Sequence, residues 1–167
     1  MKIFLIGYMG CGKTTAGKRL ANKLGWPFID LDDRIEKHTG KTITELFEQE
    51  GETAFRELEK QALHSTFELK HAIISTGGGA PCFFDNMEQM NLNGKTVYIE
   101  LPPKVLADRL RGAKNQRPLI KGKTDEELLA FIAEALQKRT PYYQKAKTTV
   151  DGVSLSAESI LMAVNLV

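Results

Sequence analysis

The chain has 167 residues, 42% of them hydrophobic, with 23 basic against 21 acidic side chains for a formal net charge of +2. That length suits a single domain able to bury roughly 70% of its unfolded surface. The charge balance argues against a dedicated nucleic-acid binder, and no apolar run approaches the roughly 18 residues of a membrane span.

The first apolar run, Ile3 to Ile6, reads as a buried strand, and it begins so near the N-terminus that no cleavable signal is expected. It feeds Gly7-Tyr8-Met9-Gly10-Cys11-Gly12-Lys13-Thr14, which fits the phosphate-loop pattern G-x-x-x-x-G-K-[ST] at every fixed position. Ala16, Leu20, Ala21 and Leu24 then mark an amphipathic helix, so strand, loop and helix stand in the order the motif requires. Glycine admits backbone angles closed to residues with a Cβ, which lets successive N–H groups wrap an anion at the positive end of the helix. The loop from Gly10 through Cys11, Gly12, Lys13, Thr14 and Thr15 is therefore the expected nucleoside triphosphate site. Lys13 would reach the β- and γ-phosphates and the Thr14 hydroxyl would ligate Mg²⁺. Gly17, just inside the helix, suits close helix packing.

A second strand, Pro27 to Leu31, runs into Asp30-Leu31-Asp32-Asp33. In extended chain Asp30 and Asp32 face the same way, so one carboxylate can support Mg²⁺ while the other accepts a hydroxyl proton from an acceptor. Asp33 reads as the cap of a helix from Arg34 to Thr39. Thr42-x-x-Glu45 is a capping box for a short helix ending near Gly51, and Phe55, Leu58, Ala62, Thr66 and Leu69 form the apolar stripe of a longer one. Arg56 and Glu59, three apart on that helix, suggest an ordinary surface salt bridge.

The third strand, Ala72 to Thr76, leads into Gly77-Gly78-Gly79, where either a ligand approaches the backbone closely or the chain makes a flexible turn. Ser75 lies within reach of a metal shell there. A fourth strand, Thr96 to Leu101, precedes a helix that Pro103 opens and Arg111 ends. The basic, glycine-flanked stretch from Gly112 to Lys123 has the length of a functional lid, a solvated loop being the plainer alternative. Thr124 caps a helix running to about Arg139, whose charge would suit the helix dipole. A fifth strand, Thr148 to Val150, and a helix after Ser156 complete the chain. Strands alternating with helices mean a parallel sheet covered on both faces. Cys11 and Cys82 lack metal-ligand spacing and read as small packing residues in a reducing compartment.

In order and spacing, GYMGCGKTTAGKRLA, FIDLDDRIEKHTGKTITELFEQEGETAFRELE, STGGGA, RPLI and KRTPYYQKA resemble the shikimate kinase family along nearly the whole chain. The phosphate loop alone would be unspecific, but its combination with D-x-D, F-R-x-x-E, G-G-G and R-P-L is not. The resemblance implies a Mg²⁺-dependent transfer of the ATP γ-phosphoryl group to the 3-hydroxyl of shikimate. It implies that Asp32 binds the acceptor hydroxyls and acts as base, while Asp30 supports Mg²⁺ together with Thr14. Arg56 and Arg139 would hold the substrate carboxylate, with Glu59 orienting Arg56, Gly78 contributing backbone contacts, and Phe47 and Phe55 forming apolar walls. Arg117 would close from the lid, and Arg109, in preference to Arg111, would contact the nucleotide.

The expected architecture is a P-loop NTPase three-layer α/β sandwich, one kinase domain over residues 1–167, with a five-stranded parallel sheet in the order 2-3-1-4-5. Acceptor-binding helices would span about 33–69 and the lid about 112–123. A cytoplasmic monomer working on shikimate and ATP, with neither nucleic-acid nor membrane partners, is expected. A kinase for another hydroxy acid such as gluconate would need the phosphate loop without D-x-D and F-R-x-x-E. A regulatory nucleotide-binding module would be expected to lack an acidic or lid residue, and a GTPase would carry N-K-x-D, which is absent.

Overall fold

The structure, a computed structural model, describes residues 1–113 and 119–166. Five strands, β1 (Lys2–Ile6), β2 (Phe28–Asp30), β3 (Ala72–Ser75), β4 (Lys95–Glu100) and β5 (Thr148–Asp151), pair in parallel in the order β2-β3-β1-β4-β5. Every strand end falls within one residue of its expected position. Register is set from the centre, Lys2 lying opposite Ala72 on one side and Ile3 opposite Lys95 on the other. Ile3 to Ile6 and Ala72 to Ile74 are wholly buried because both faces of the central strands are covered, which explains their unbroken apolar runs.

The helices are α1 (Lys13–Leu24), α2 (Leu31–Thr39), α3 (Ile43–His64), α4 (Asn86–Asn93), α5 (Pro103–Arg111), α6 (Asp125–Tyr143) and α7 (Ala157–Ala163). The Thr42 hydroxyl accepts from the Glu45 N–H while the Glu45 carboxylate accepts from the Thr42 N–H, so the capping box at α3 is complete. Gly51, at φ 85° and ψ 171°, kinks α3 between its two segments. The helix stops at His64, leaving Thr66 and Leu69 of the expected stripe in the turns beyond it. Ile35, Leu46 and Phe55 give α2 and α3 a small core of their own, separate from the core around the sheet.

Three features depart from expectation. The short α4 and a 3-10 turn at Ala80–Cys82 were not anticipated, since α4 is mostly polar and buries only Asn86, Met87 and Met90. Helix α6 does not end at Arg139 but continues through Pro141 to Tyr143. Pro141 cannot donate to the Gln137 carbonyl, and both residues are solvent-exposed. Gly17, by contrast, allows the close helix packing expected of it, here of α1 onto the sheet: a Cβ there would come within 2.6 Å of Phe28 and 3.0 Å of Leu5. Among the described residues no helix is long and apolar enough to cross a membrane.

Gly94, which ends α4 and admits β4, packs against backbone: a Cβ would stand 2.5 Å from the Lys2 carbonyl oxygen. Its φ of −175° is ordinary extended chain, so the constraint is space alone. Gly94→Ala is expected to destabilise the fold by about 1–3 kcal/mol through overpacking, lowering the thermal midpoint by several degrees. Gly94→Asn should be no better, which differential scanning calorimetry on both variants checks.

Candidate active site

The phosphate loop leaves β1 at its carboxyl end and enters α1 through residues that require left-handed backbone, Gly10 at φ 81° and Gly12 at φ 103°. Lys13 is only 9% exposed, and its ammonium donates to the carbonyls of Gly7 at 2.5 Å and Tyr8 at 3.1 Å. Those partners are neutral, so the lysine's charge is held at the loop without being neutralised by them. The Thr14 hydroxyl donates to Asp30 Oδ2 at 3.4 Å, while Asp30 Oδ1 accepts the N–H groups of Asp32 at 2.9 Å and Asp33 at 3.2 Å. Asp30 is thus the cap of α2 in place of Asp33, and the helix begins at Leu31. Asp32 belongs to its first turn rather than to an extended strand, where the helix dipole favours a carboxylate. Lys13, Thr14, Asp30, Asp32, Ser75 and Gly77 line one cleft of about 300 Å³.

Across that cleft the three glycines make room for charged side chains. None of them has positive φ; Gly79, for example, lies at −88°. A Cβ on Gly77 would stand 2.9 Å from Glu59 Oε2 and 3.2 Å from Asp32 Oδ1. On Gly78 it would stand 3.1 Å from Arg139 Nη1, and on Gly79 2.7 Å from Arg56 Nη2. The segment is also no flexible turn. Thr76 Oγ1 donates to the Leu5 carbonyl at 3.0 Å, the Tyr143 hydroxyl to the Gly78 carbonyl at 2.5 Å, and buried Asn86 Nδ2 to the Ala80 carbonyl at 2.9 Å.

Arg56 and Glu59 do not form the surface pair that their spacing suggests: they are 9% and 1% exposed, with Nη1 donating to Oε1 at 2.8 Å. Burial pushes the Glu59 carboxyl up from its ordinary range and Asp32 adds to the rise, while Arg56 acts in the opposite sense. The Arg56 guanidinium carbon lies 4.1 Å from the ring centre of Phe83, 5.2 Å from Phe55 and 5.8 Å from Phe47. Phe47 and Phe55 pack together at 4.6 Å. Arg56 Nε is buried with no hydrogen-bond partner among the described residues.

Arg139 lies inside α6, so interaction with a helix end does not explain it; its guanidinium stands 5.4 Å from the Tyr8 ring centre. Arg109 donates to the carbonyls of Cys11 and Gly152, both at 3.3 Å, and so reaches the phosphate loop. Arg111 turns away, to the Lys123 carbonyl at 2.9 Å and the Asp125 carboxylate at 2.6 Å. Arg109 and Gly152 border a second cleft of about 240 Å³ together with Arg19, Val153 and Leu155. Arg117 lies outside the described residues. Cys11 and Cys82 are both free thiols, and burial pushes Cys82 up, in keeping with a packing role.

Sequence reasoning placed Gly12, Thr15 and Arg109 of the second cleft at the nucleotide, but it did not find Phe83, Tyr143 or the Arg19, Val153 and Leu155 side of that cleft. Tyr143 follows Arg139 by one helical turn and could have been found had α6 been extended through Pro141. Phe83 meets Arg56 only through the fold, and no periodicity links the two.

A phosphate loop on a five-stranded parallel sheet of order 2-3-1-4-5, with two helices between the second and third strands, defines a P-loop kinase of the nucleoside-monophosphate-kinase type. The profile of the shikimate kinase family matches residues 9–165. A shikimate kinase of Bacteroides fragilis is 60% identical over 146 residues, covering 87% of this chain and 82% of that protein. The crystal structure of the shikimate kinase from Bacteroides thetaiotaomicron superposes with a TM-score of 0.91 at 52% identity, covering 99% of this chain and 94% of the other. That of the Acinetobacter baumannii shikimate kinase in complex with shikimate gives 0.84 at 37% identity, covering 96% and 90%. The chain belongs to the shikimate kinase family, and is an ATP-dependent small-molecule kinase.

The buried pair yields a stability test. Glu59→Gln keeps the shape but leaves the buried Arg56 charge with only the exposed Glu52 carboxylate, 3.4 Å away, an expected loss of about 3 kcal/mol in urea unfolding. The apolar double variant Arg56→Met with Glu59→Leu should recover most of that loss while remaining inactive, since the pair costs about as much to desolvate as it returns.

Proposed function

We propose that the chain transfers the ATP γ-phosphoryl group to the 3-hydroxyl of shikimate, releasing ADP and shikimate 3-phosphate for aromatic amino acid biosynthesis. The observation that carries the acceptor assignment is the convergence of Arg56 and Arg139 on adjacent glycines, with Arg56 Nε buried and unpartnered. A guanidinium fork in that setting suits a planar carboxylate. Phe47 and Phe55 supply an apolar wall beside it, Glu59 holds Arg56 in place, and Gly78 offers backbone.

Loop N–H groups from Gly10 to Thr15 cradle the phosphates, Lys13 turns its ammonium from the loop carbonyls to the β- and γ-oxygens, and Arg109 steadies the nucleotide end. The oxygens of Thr14 and Asp30, 3.4 Å apart at the mouth of the loop, fit a hard cation that binds through one or two protein oxygens and the phosphates. They would hold Mg²⁺, which when bound neutralises phosphate charge. Asp32 orients the acceptor hydroxyl toward the γ-phosphorus and takes its proton, and Arg117, closing from a lid over about 112–123, stabilises the charge of the transferring group. Catalysis is then mainly positioning and electrostatics. The enzyme is taken to be a cytoplasmic monomer, a single domain over 1–167 whose helices from about 33 to 69 bind the acceptor, with only small-molecule partners.

Asp32→Asn preserves shape but cannot accept the proton, so kcat should fall about 10²- to 10⁴-fold with ATP affinity intact. A coupled ADP-release assay alongside nucleotide titration checks this, and unchanged turnover would remove Asp32 from the mechanism. Arg56→Lys and Arg139→Lys should each lower kcat/KM for shikimate about 10- to 150-fold, the worth of a charge-assisted bond, and leave the KM for ATP unchanged. Shikimate with its carboxylate replaced by a carboxamide should be a poor substrate for the parent enzyme and far less sensitive to either substitution. Normal turnover of shikimate by both variants would make the arginines structural.

A further inference from the structure

Tyr143 is fully buried at the end of α6, one turn beyond Arg139 on the same side of the helix. Its ring packs on Tyr98 with centres 5.1 Å apart, which fixes the phenol's direction. The hydroxyl donates to the Gly78 carbonyl at 2.5 Å. Arg139 Nη1 lies against the same residue, 3.1 Å from where a Gly78 Cβ would be, so the guanidinium and the phenol meet at Gly78 and interact favourably there. Packing alone would be satisfied by phenylalanine. The oxygen adds a link to the loop that runs beside Arg56, made at the residue that the second arginine also touches.

We propose that Tyr143 is a positioning residue for the acceptor: donating to Gly78, where it meets Arg139, it holds that guanidinium against the glycine loop, in step with Arg56 on Gly79. The inference rests on the reading of Arg139 as a ligand of the shikimate carboxylate. Burial pushes the phenol above the ordinary tyrosine range although Arg139 acts in the opposite sense, so the hydroxyl remains a donor through neutral pH. A guanidinium has no acceptor and needs an oxygen to set its angle; the phenol supplies one at a point the core already fixes.

Tyr143→Phe, Arg139→Lys and the double variant should be assayed with shikimate, its carboxamide and ATP, with thermal midpoints recorded. For Tyr143→Phe the KM for shikimate is expected to rise about 3- to 10-fold, the worth of one hydrogen bond, with kcat and the KM for ATP within about twofold. The carboxamide should barely register the change, and in the Arg139→Lys background the substitution should add less than about twofold, because the link is already broken. An unmoved KM for shikimate with a lowered thermal midpoint, equal losses on shikimate and carboxamide, or full additivity in the double variant would each overturn the proposal. A normal KM for shikimate in Arg139→Lys overturns the carboxylate reading and this one with it, whereas a raised KM there beside an unmoved one in Tyr143→Phe overturns this one alone. Should the Phe variant fail to fold, difluorotyrosine at 143 keeps the hydroxyl but ionises at lower pH. Its KM for shikimate should then climb at a lower pH than in the parent while the KM for ATP stays flat, and coincident profiles would overturn the proposal.

Discussion

One side of the cleft depends on the absence of three side chains. At Gly77, Gly78 and Gly79 the space a Cβ would take is bounded by Glu59 and Asp32, by Arg139, and by Arg56. Those groups come from α2 and α3, which follow one another, and from the distant α6, and the strand-end segment they meet at has no bulk to keep them apart. Alanine at Gly79 would press on the Arg56 guanidinium well inside van der Waals contact, so the guanidinium that Glu59 holds would have to shift. The loop's carbonyls are also held, Gly78 by Tyr143 and Ala80 by Asn86.

The phosphate side is organised by a carboxylate with two tasks. One oxygen of Asp30 caps α2 and the other meets the Thr14 hydroxyl at the start of α1. The cap fixes where α2 begins, and with it the position of Asp32 in the first turn. The starts of α1 and α2 are therefore tied to one residue at the end of β2, and moving either helix would disturb both Thr14 and Asp32. Lys13 is tied in similarly, since the carbonyls that hold it belong to the loop it is to serve.

Much of this was legible in the residues. Each strand is a short apolar run between clear breaks, and buried central strands advertise themselves by lacking alternation, so the sheet was readable almost residue by residue. The phosphate loop was readable because its glycines, lysine and threonine stand at fixed spacing between a strand and a helix. Burial of Arg56 and Glu59 was not readable, for an i, i+3 pair looks the same on a surface and in a core. The role of the glycines was visible only as a composition; that they clear space for side chains depends on contacts from remote helices. Helix α6 was cut short because Pro141 carries a strong local signal that packing overrides. Helix α4 was missed because a short polar segment with two buried methionines has no periodicity to detect.

The break at Gly51 bears on how the acceptor pocket can vary. In a continuous helix each inserted residue turns everything downstream by about 100°, so changing the length of the segment that carries Phe47 would swing Arg56 and Glu59 off the glycine loop. With the backbone at φ 85° and ψ 171° the two segments share no common helical phase. The first is anchored at its own start by Thr42 and Glu45, the second by its buried ion pair. The segment that carries Phe47 can accordingly be lengthened, shortened or retilted as a separate part, while Phe55, Arg56 and Glu59 beyond the break keep their aim.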